Sequence, residues 1–437
     1  MTVQNQKLQK IIYSKILRFT LSFCILIFAS SITHAQTATT TDVLQSKIVE
    51  RNLQIKQLEA EINQYNTEVI NAEGQAKTLQ STLKALDLTN KKITKDITLT
   101  QTKISKTALI IQQLGNQIDD IKKHIETNKQ AIISALRNTE ALEDVGIVVT
   151  ILSNKNVSDV WGDLDNINQI QNTIRDKSKE LSILQKDMEG KQAILNGQKN
   201  DLLNLKQDLT GKKQAVQFTV QEKAVILVET QNKESTFKAL VQTKEEQKAQ
   251  FEKEVYDFES QLNLLIDKNS YPKPKNGVLS WPLDNIFVTQ KFGKTVGAEK
   301  LYVSGSHNGV DFRASIGTRV KNILDGTIIG TGNTDSYYGC YSFGKWVMVK
   351  HDNGLSTIYA HLSVISVSTG QRLGTGDTVG YSGNTGYTTG PHLHIGLYAT
   401  QGVRIEQFVN SRGCKQAIIP LADIKAYLDP LAYFPAV

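Results

Sequence analysis

At 437 residues the chain is too long for one ordinary compact core, so two or more domains are expected. The formal charge is +7, yet no basic block of the kind that tracks a phosphate backbone is present, which argues against a nucleic-acid partner. Four of the cations and none of the acids fall in the first 35 residues, so the remainder carries a nearly balanced +3.

Residues 1–35 read as an export signal. Lys7, Lys10, Lys15 and Arg18 precede an apolar run from Phe19 to Ile32, and Thr33-His34-Ala35 supplies small residues for cleavage. The run falls short of the roughly 20 residues that span a bilayer, although an uncleaved anchor stays open. Cys24 leaves with the signal. The remaining pair, Cys340 and Cys414, suits a disulfide in an oxidising compartment, with free thiols as the alternative.

From Leu44 to Ile132 apolar residues recur in alternating steps of four and three, without a proline between them. Of the 26 positions in this series 21 are apolar, and so sustained a 3.5-residue repeat specifies a left-handed coiled coil. Asn90 and Asn128 interrupt it as register-fixing polar positions. A second stretch runs from about Ile167 to Ile266, through Leu181, Leu195 and Leu209 and on to Phe251, Val255, Phe258, Leu262 and Leu265. Between Val216 and Leu240 its phase slips, which reads as a stutter. The similar lengths suggest one long antiparallel coiled-coil hairpin over 42–266, with its turn at 137–165. That turn holds the apolar VGIVVTIL and Trp161, either a local cap or a docking patch.

Pro272 and Pro274 break the helical pattern, so 267–277 reads as a linker. Beyond it, short β-branched and aromatic runs alternate with Gly- and Asn-rich turns, predicting an antiparallel β-sheet domain over 278–437. The fold class is therefore α + β and multidomain.

The chemistry concentrates in that domain. Five of the seven histidines lie between His307 and His394. His392 and His394 in GPHLHIG share one strand face, about 6.7 Å apart, so both rings can enter one pocket. His307 and Asp311 in HNGVDF would stand about 13 Å apart on a straight strand, so the chain must bend at Gly309 for them to meet. His361 sits in YAHLS. Together these groups offer three ligands for one divalent metal and two imidazoles over, whereas a structural zinc closes its shell with four. His351 reads as a packed strand-end residue and His124 as a solvated coil position. Gly383, Gly386 and Gly390 either let an extended chain approach the backbone or simply make turns.

These motifs, with DGTIIG and GYSGNTGYTTG, resemble the lysostaphin-type (M23, LytM-like) zinc metallopeptidases over Trp281 to about Pro435. The resemblance implies one Zn2+ held by His307, Asp311 and His394, with His361 and His392 as the catalytic pair. Tyr302 becomes a candidate oxyanion donor, a packed aromatic being the alternative. The implied substrate is peptidoglycan peptide, and the implied location extracellular, cell-wall or periplasmic. The stretch Thr331–Phe343 is long and aromatic for a β connection, and a link through Cys340 to Cys414 would make it one groove wall.

The whole layout is also similar to division-associated peptidoglycan hydrolases and murein hydrolase activators. That similarity implies regulation through the coil, whether intramolecular or oligomeric, and docking on the extracytoplasmic part of the cell-division ABC transporter. Non-catalytic amidase activators share the layout but typically lose ligands or catalytic histidines. All five positions are kept here, which favours the enzyme.

Overall fold

The computed structural model describes residues 40–436 except 75–76, 144–156, 263, 296–297, 300–303, 387 and 389. The expectations for residues 1–35, for VGIVVTIL and for Tyr302 lie outside the described residues, as does the side chain of Trp161. Among the described residues, four long helices come first, α1 (Thr40–Gly74), α2 (Leu79–Glu143), α3 (Val157–Thr230) and α4 (Glu234–Gln261), and twelve strands and short 3-10 turns follow. Helices and then an antiparallel β domain is the order read from the sequence, but the helical part is cut differently.

The repeat from Leu44 to Ile132 is two helices, not one. α1 stops at Gly74 and α2 opens at Leu79, where Thr78 and Ser81 cap each other: Ser81 N–H donates to Thr78 Oγ1 at 3.2 Å and Thr78 N–H to Ser81 Oγ at 3.0 Å. The four-three spacing runs unbroken through Ala72, Ala76 and Leu79 because a hydrophobic period records which face is buried, not the direction of the chain. The phase slip near residues 216–240 is likewise a break. α3 ends at Thr230, and Gln231 and Asn232 turn the chain at φ 47° and 57° before α4 begins.

Two compact units result, one of the described residues up to Glu50 with Gln112–Gln185, the other of Arg51–Ile111 with Lys186–Val437. In the first, α1 and α2 are joined by Gln113 donating to Gln45 at 3.2 Å, over the buried Leu44, Ile48, Ile118, Ile121 and Ile125. In the second, Lys95–Glu61 (2.6 Å) and Lys103–Glu59 (3.0 Å) pair α1 and α2 antiparallel, while Lys223–Asp87 (2.6 Å) and Thr100–Asp208 (3.2 Å) pair α2 and α3 the same way. Such exposed ion pairs contribute little. The buried seam residues Ile62, Val69, Leu86 and Ile93 carry the packing.

The β domain of the second unit is a ten-stranded antiparallel sheet. Its main path runs β1 (Val288–Gln290), β2 (Val310–Arg313), β9 (His392–Ala399), β6 (Leu355–Ile365), β5 (Lys345–His351), β4 (Gly326–Asn333) and β7 (Arg372–Leu373). Off this path, β8 (Thr378–Ser382) pairs with β3 (Arg319–Lys321) and β6, and β12 (Tyr427–Leu428) with β9. β10 (Val403–Gln407) and β11 (Ile418–Ala422) form a separate ribbon. The core gathers Val310, Phe312, Val347, Tyr359, Leu393 and Ile395, and Trp281 stacks on Phe434 with ring centroids 4.6 Å apart.

The helices pack directly on this domain. Leu86, Ile93 and Ala215 join Ile316, Val364 and Tyr381 in one apolar cluster, and Tyr381 donates to Asp208 Oδ1 at 3.0 Å. Gly211 of α3 has no room for a Cβ, which would sit 1.8 Å from the Tyr381 ring. α4 departs furthest from its expected role. Phe251, Val255 and Phe258 turn to the β domain, where they meet Phe408, Cys340 and Cys414, and Leu265 is 95% exposed. Residues 270–272 are packed as well, with Tyr433 donating to Pro272 O at 3.1 Å.

Candidate metal centre and groove

Strand register brings the candidate ligands together. β2 and β9 are antiparallel, with Asp311 opposite His394 and Arg313 opposite His392, so Asp311, His394 and His392 project from one region of the sheet. His307 lies outside β2, in an isolated bridge to Gly293, and the chain turns between it and Asp311. Gly309 makes that turn feasible: a Cβ there would meet Ile395 O at 2.4 Å and His394 Nε2 at 2.7 Å. His307 Nε2 and Asp311 Oδ1 end 3.3 Å apart, not the 13 Å of a straight strand.

His361 is delivered by a bulge. In the β5–β6 ladder Val347 faces Tyr359 but Lys345 faces Leu362, so β6 carries an extra residue there, and His361 has φ +60°. That left-handed conformation is strained for a residue with a Cβ. It is held by His361 N–H donating to Phe343 O at 2.9 Å, and by the Nδ1 side of the ring meeting Thr385 O at 2.9 Å. His392 repeats the arrangement, with Nδ1 2.8 Å from Gly390 O. A carbonyl can only accept, so both Nδ1 atoms carry a proton and proton transfer is left to Nε2. The His361 and His392 rings lie 4.7 Å apart, and His392 Nε2 is 3.7 Å from Asp311 Oδ1.

Three donor atoms converge. His307 Nε2, His394 Nδ1 and Asp311 Oδ1 are separated by 3.2, 2.9 and 3.3 Å. Ligands of a tetrahedral ion at about 2.0–2.1 Å stand about 3.4 Å apart, so the trio fits one small divalent ion with slight spreading. Two nitrogens and one carboxylate oxygen form a zinc-type donor set, and three protein donors leave a coordination position open. His307 Nδ1 is braced on Lys291 O at 3.1 Å, which turns Nε2 inward. All three residues are buried.

The electrostatics suit the same role. Burial alone would raise Asp311, but His392, His307 and His394 hold its carboxyl well below the usual range, so it stays an anion. Burial lowers His394 and lowers His361 strongly, and the neighbouring imidazoles His392 and His394 press His361 further down. Both are therefore neutral, as a ligand and a proton acceptor require. His351 is apart from this group. It is buried between Asp325 O (3.2 Å) and Thr357 Oγ1 (2.8 Å), and desolvation pushes it down to about 4.

The groove around the donors has a volume of about 430 Å³. One wall includes Tyr341, Ser342 and Phe343. Cys340 in the same segment is disulfide-bonded to Cys414. Another wall is α4, through Lys248, Phe251, Glu252, Val255, Tyr256 and Glu259. Sequence reasoning missed this wall because the seven-residue spacing of Phe251 and Phe258 is the same whether they face a helix or a sheet. It also missed Tyr427, which lines the groove outside every histidine motif, and gave no role to Asn308 inside HNGVDF. Gly383 and Gly386 answer to internal packing: a Cβ would strike Ser363 N at 2.4 Å and Ser342 O at 2.2 Å. A Cβ at Gly390 would meet nothing within 4 Å.

Residues 305–407 match the model of the family described as Peptidase family M23. The chain is 46% identical over 91 residues to the peptidoglycan DD-endopeptidase ShyA of Vibrio cholerae, an alignment covering 21% of this chain and 20% of that protein. It is 43% identical over 91 residues to the glycyl-glycine endopeptidase ALE-1 of Staphylococcus capitis, covering 21% and 24%. The chain thus spans about a fifth to a quarter of the length of the curated relatives it matches. Among solved structures, the catalytic domain of lysostaphin from Staphylococcus simulans aligns at 29% identity over 34% of this chain and 91% of that one, with a TM-score of 0.25. Residues 305–407 of the β domain, within which the His-Asp-His donor set and the two further imidazoles meet on one groove, are thus similar to peptidase family M23.

Proposed function

We propose that this protein is an exported zinc metalloendopeptidase that hydrolyses peptide bonds of peptidoglycan in cell-wall remodelling or cell separation. The observation that carries the proposal is the convergence of His307, Asp311 and His394 with two further imidazoles on one groove. Relatives named for cutting peptidoglycan or glycyl-glycine bonds support the substrate class. Peptidoglycan lies outside the cytoplasmic membrane, which fits the basic and apolar pattern of residues 1–35. Among the described residues no helix is long and apolar enough to cross a membrane.

A zinc ion held by His307, Asp311 and His394 would act as a Lewis acid on the scissile carbonyl and make water acidic enough to attack near neutral pH. The remaining work falls to the chain. The Nε2 lone pair of His361 or His392 takes the proton of the attacking water, Nδ1 being committed to a carbonyl in both. The other ring, once protonated, stabilises the developing oxyanion. Burial of His361 keeps it neutral and ready to accept.

Regulation through the helices is part of the proposal, supported by α4 forming a groove wall. The partner proposed for the helical region is the extracytoplasmic part of a cell-division ABC transporter. That same wall favours the second reading, a non-catalytic amidase activator using the groove for docking. The two readings separate by mass spectrometry of fragments released from purified peptidoglycan by the full-length chain. New peptide termini that vanish on chelation and in His394→Ala support the hydrolase. Intact peptidoglycan, cut only when an amidase is added, supports the activator.

A further inference from the structure

The imidazole of His361 is oriented by a residue 24 positions further along the chain. The χ2 torsion of a histidine is broad and roughly two-fold, so burial alone does not settle which ring edge faces a groove. Thr385 settles it. It lies in the connection after β8, 4% exposed, with its carbonyl oxygen 2.9 Å from His361 Nδ1. Its hydroxyl donates at 2.8 Å to the carbonyl of Leu362, the residue after His361, and accepts from Lys345 N–H at 2.9 Å. One side chain thus grips the backbone of the β6 bulge while the same residue's carbonyl grips the ring that the bulge presents.

The loop that carries Thr385 is itself clamped. Gly386 N–H donates to the Asp335 carboxylate, at 3.0 and 2.9 Å from its two oxygens. Asp335 stands in the segment Thr331–Phe343, which the Cys340–Cys414 disulfide ties down, and its own N–H donates to Asn333 Oδ1 at 3.2 Å. Gly344 lets the two loops touch, since a Cβ there would lie 2.3 Å from the carbonyl carbon of Thr385. His392 needs no such distant support, because Gly390 O anchors its Nδ1 from two residues away.

We infer that Thr385 and Asp335 are positioning residues for His361: Thr385 fixes the ring as the Nδ1–H tautomer with Nε2 toward the groove, and Asp335 holds Thr385 in place through Gly386. The inference rests on the peptidase reading, in which His361 Nε2 takes part in the reaction, and deepens it. The disulfide-tied segment is then a working support of the proton-transfer site as well as a groove wall.

The test uses the full-length zinc-loaded protein, labelled with 15N-histidine, at neutral pH, and cross-linked muropeptides from purified peptidoglycan. In the wild type, His361 is expected to show a protonated Nδ1 and an unprotonated Nε2. Thr385→Val keeps the shape and removes the hydroxyl. Both His361 resonances are expected to move toward those of a ring exchanging tautomers, with His392 unmoved. In the same variant kcat is expected to fall about 10- to 100-fold, with KM changed less than twofold. Thr385→Ser keeps the hydroxyl and is expected to restore the wild-type resonances and most of kcat. Asp335→Ala, at an exposed side chain, is expected to shift the same resonances partway and lower kcat about three- to tenfold. Asp335→Asn keeps an acceptor for Gly386 N–H and is expected to stay near wild type. Zinc content is expected to stay constant throughout. Wild-type His361 resonances in a folded Thr385→Val, a fall in kcat that Thr385→Ser does not restore, or a loss of zinc in Thr385→Val would overturn the inference. If Thr385→Val does not fold, Asp335→Ala decides, and wild-type resonances there overturn it. If the wild-type chain cuts no muropeptide, the hydrolase reading fails separately, and the His361 resonances of the same variants still test the positioning.

Discussion

Asp311 and His394 face each other across β2 and β9, with Asp311 Oδ1 2.9 Å from His394 Nδ1. One cross-strand pair thus supplies two of the three convergent donors, and the sheet's register sets their spacing. A slip of one residue in either strand would carry one of them to the opposite face.

Loss of a donor is therefore expected to remove the metal before it unfolds the domain. Asp311→Asn and His394→Ala should each lower zinc affinity by more than the roughly 10–100-fold typical of an outer hydrogen-bonding partner. Equilibrium dialysis with metal analysis measures it. Full zinc occupancy in His394→Ala at micromolar metal would contradict the donor assignment.

The two remaining imidazoles should separate from the donors in the opposite way. His361→Ala and His392→Ala are expected to keep zinc and lose about 10²–10⁴-fold in kcat. The check is turnover of a muropeptide set beside metal content on the same samples. An unchanged kcat in either variant would remove that ring from the proton-transfer role.

Gly309→Ala tests the bend between His307 and Asp311. The new methyl would sit 2.4 Å from Ile395 O and 2.6 Å from His394 Cε1. Overpacking of this kind costs about 1–3 kcal/mol, seen as a fall in Tm. The displaced His394 should weaken zinc binding as well. A variant with wild-type Tm and wild-type affinity would show that the loop relaxes freely.

The seating of α4 should depend on pH through Glu259. Burial raises this carboxyl from 4.5 to about 7 in the docked helix. Between those values the docked form binds a proton that the undocked form has lost, so docking is strongest below about 4.5 and weakens as pH rises through about 7. Hydrogen-exchange protection of residues 248–261, corrected for intrinsic rates, is expected to fall from pH 5.5 to pH 8. Glu259→Gln, which cannot ionise, should flatten that trend. Protection that rises with pH would reverse the sign of the coupling.

Much of the candidate site was legible because its signals are short. His-x-His on a strand and His-x-x-x-Asp around a glycine name their partners within a few residues, and the steric need at Gly309 follows from local geometry. The bulge that re-aims His361 was not legible, since YAHLS looks like any buried strand until its two neighbours are paired. Nor were Tyr427 and Glu259, which reach the groove from 120 residues downstream and 48 residues upstream of His307.

Composition and periodicity determined that long helices precede an antiparallel β domain, and which residues on each helix would be buried. They could not determine against what. The same spacing that buries Ile93 among helices and Ile316 sends Phe251 onto the disulfide and Phe408, and it passes unbroken through the reversal at Gly74. A hydrophobic period fixes a face, while the partner of that face is chosen by contacts distant in sequence. Only the tertiary structure decided that α4 lines the groove, and that its Glu259 accepts from the Tyr427 hydroxyl there.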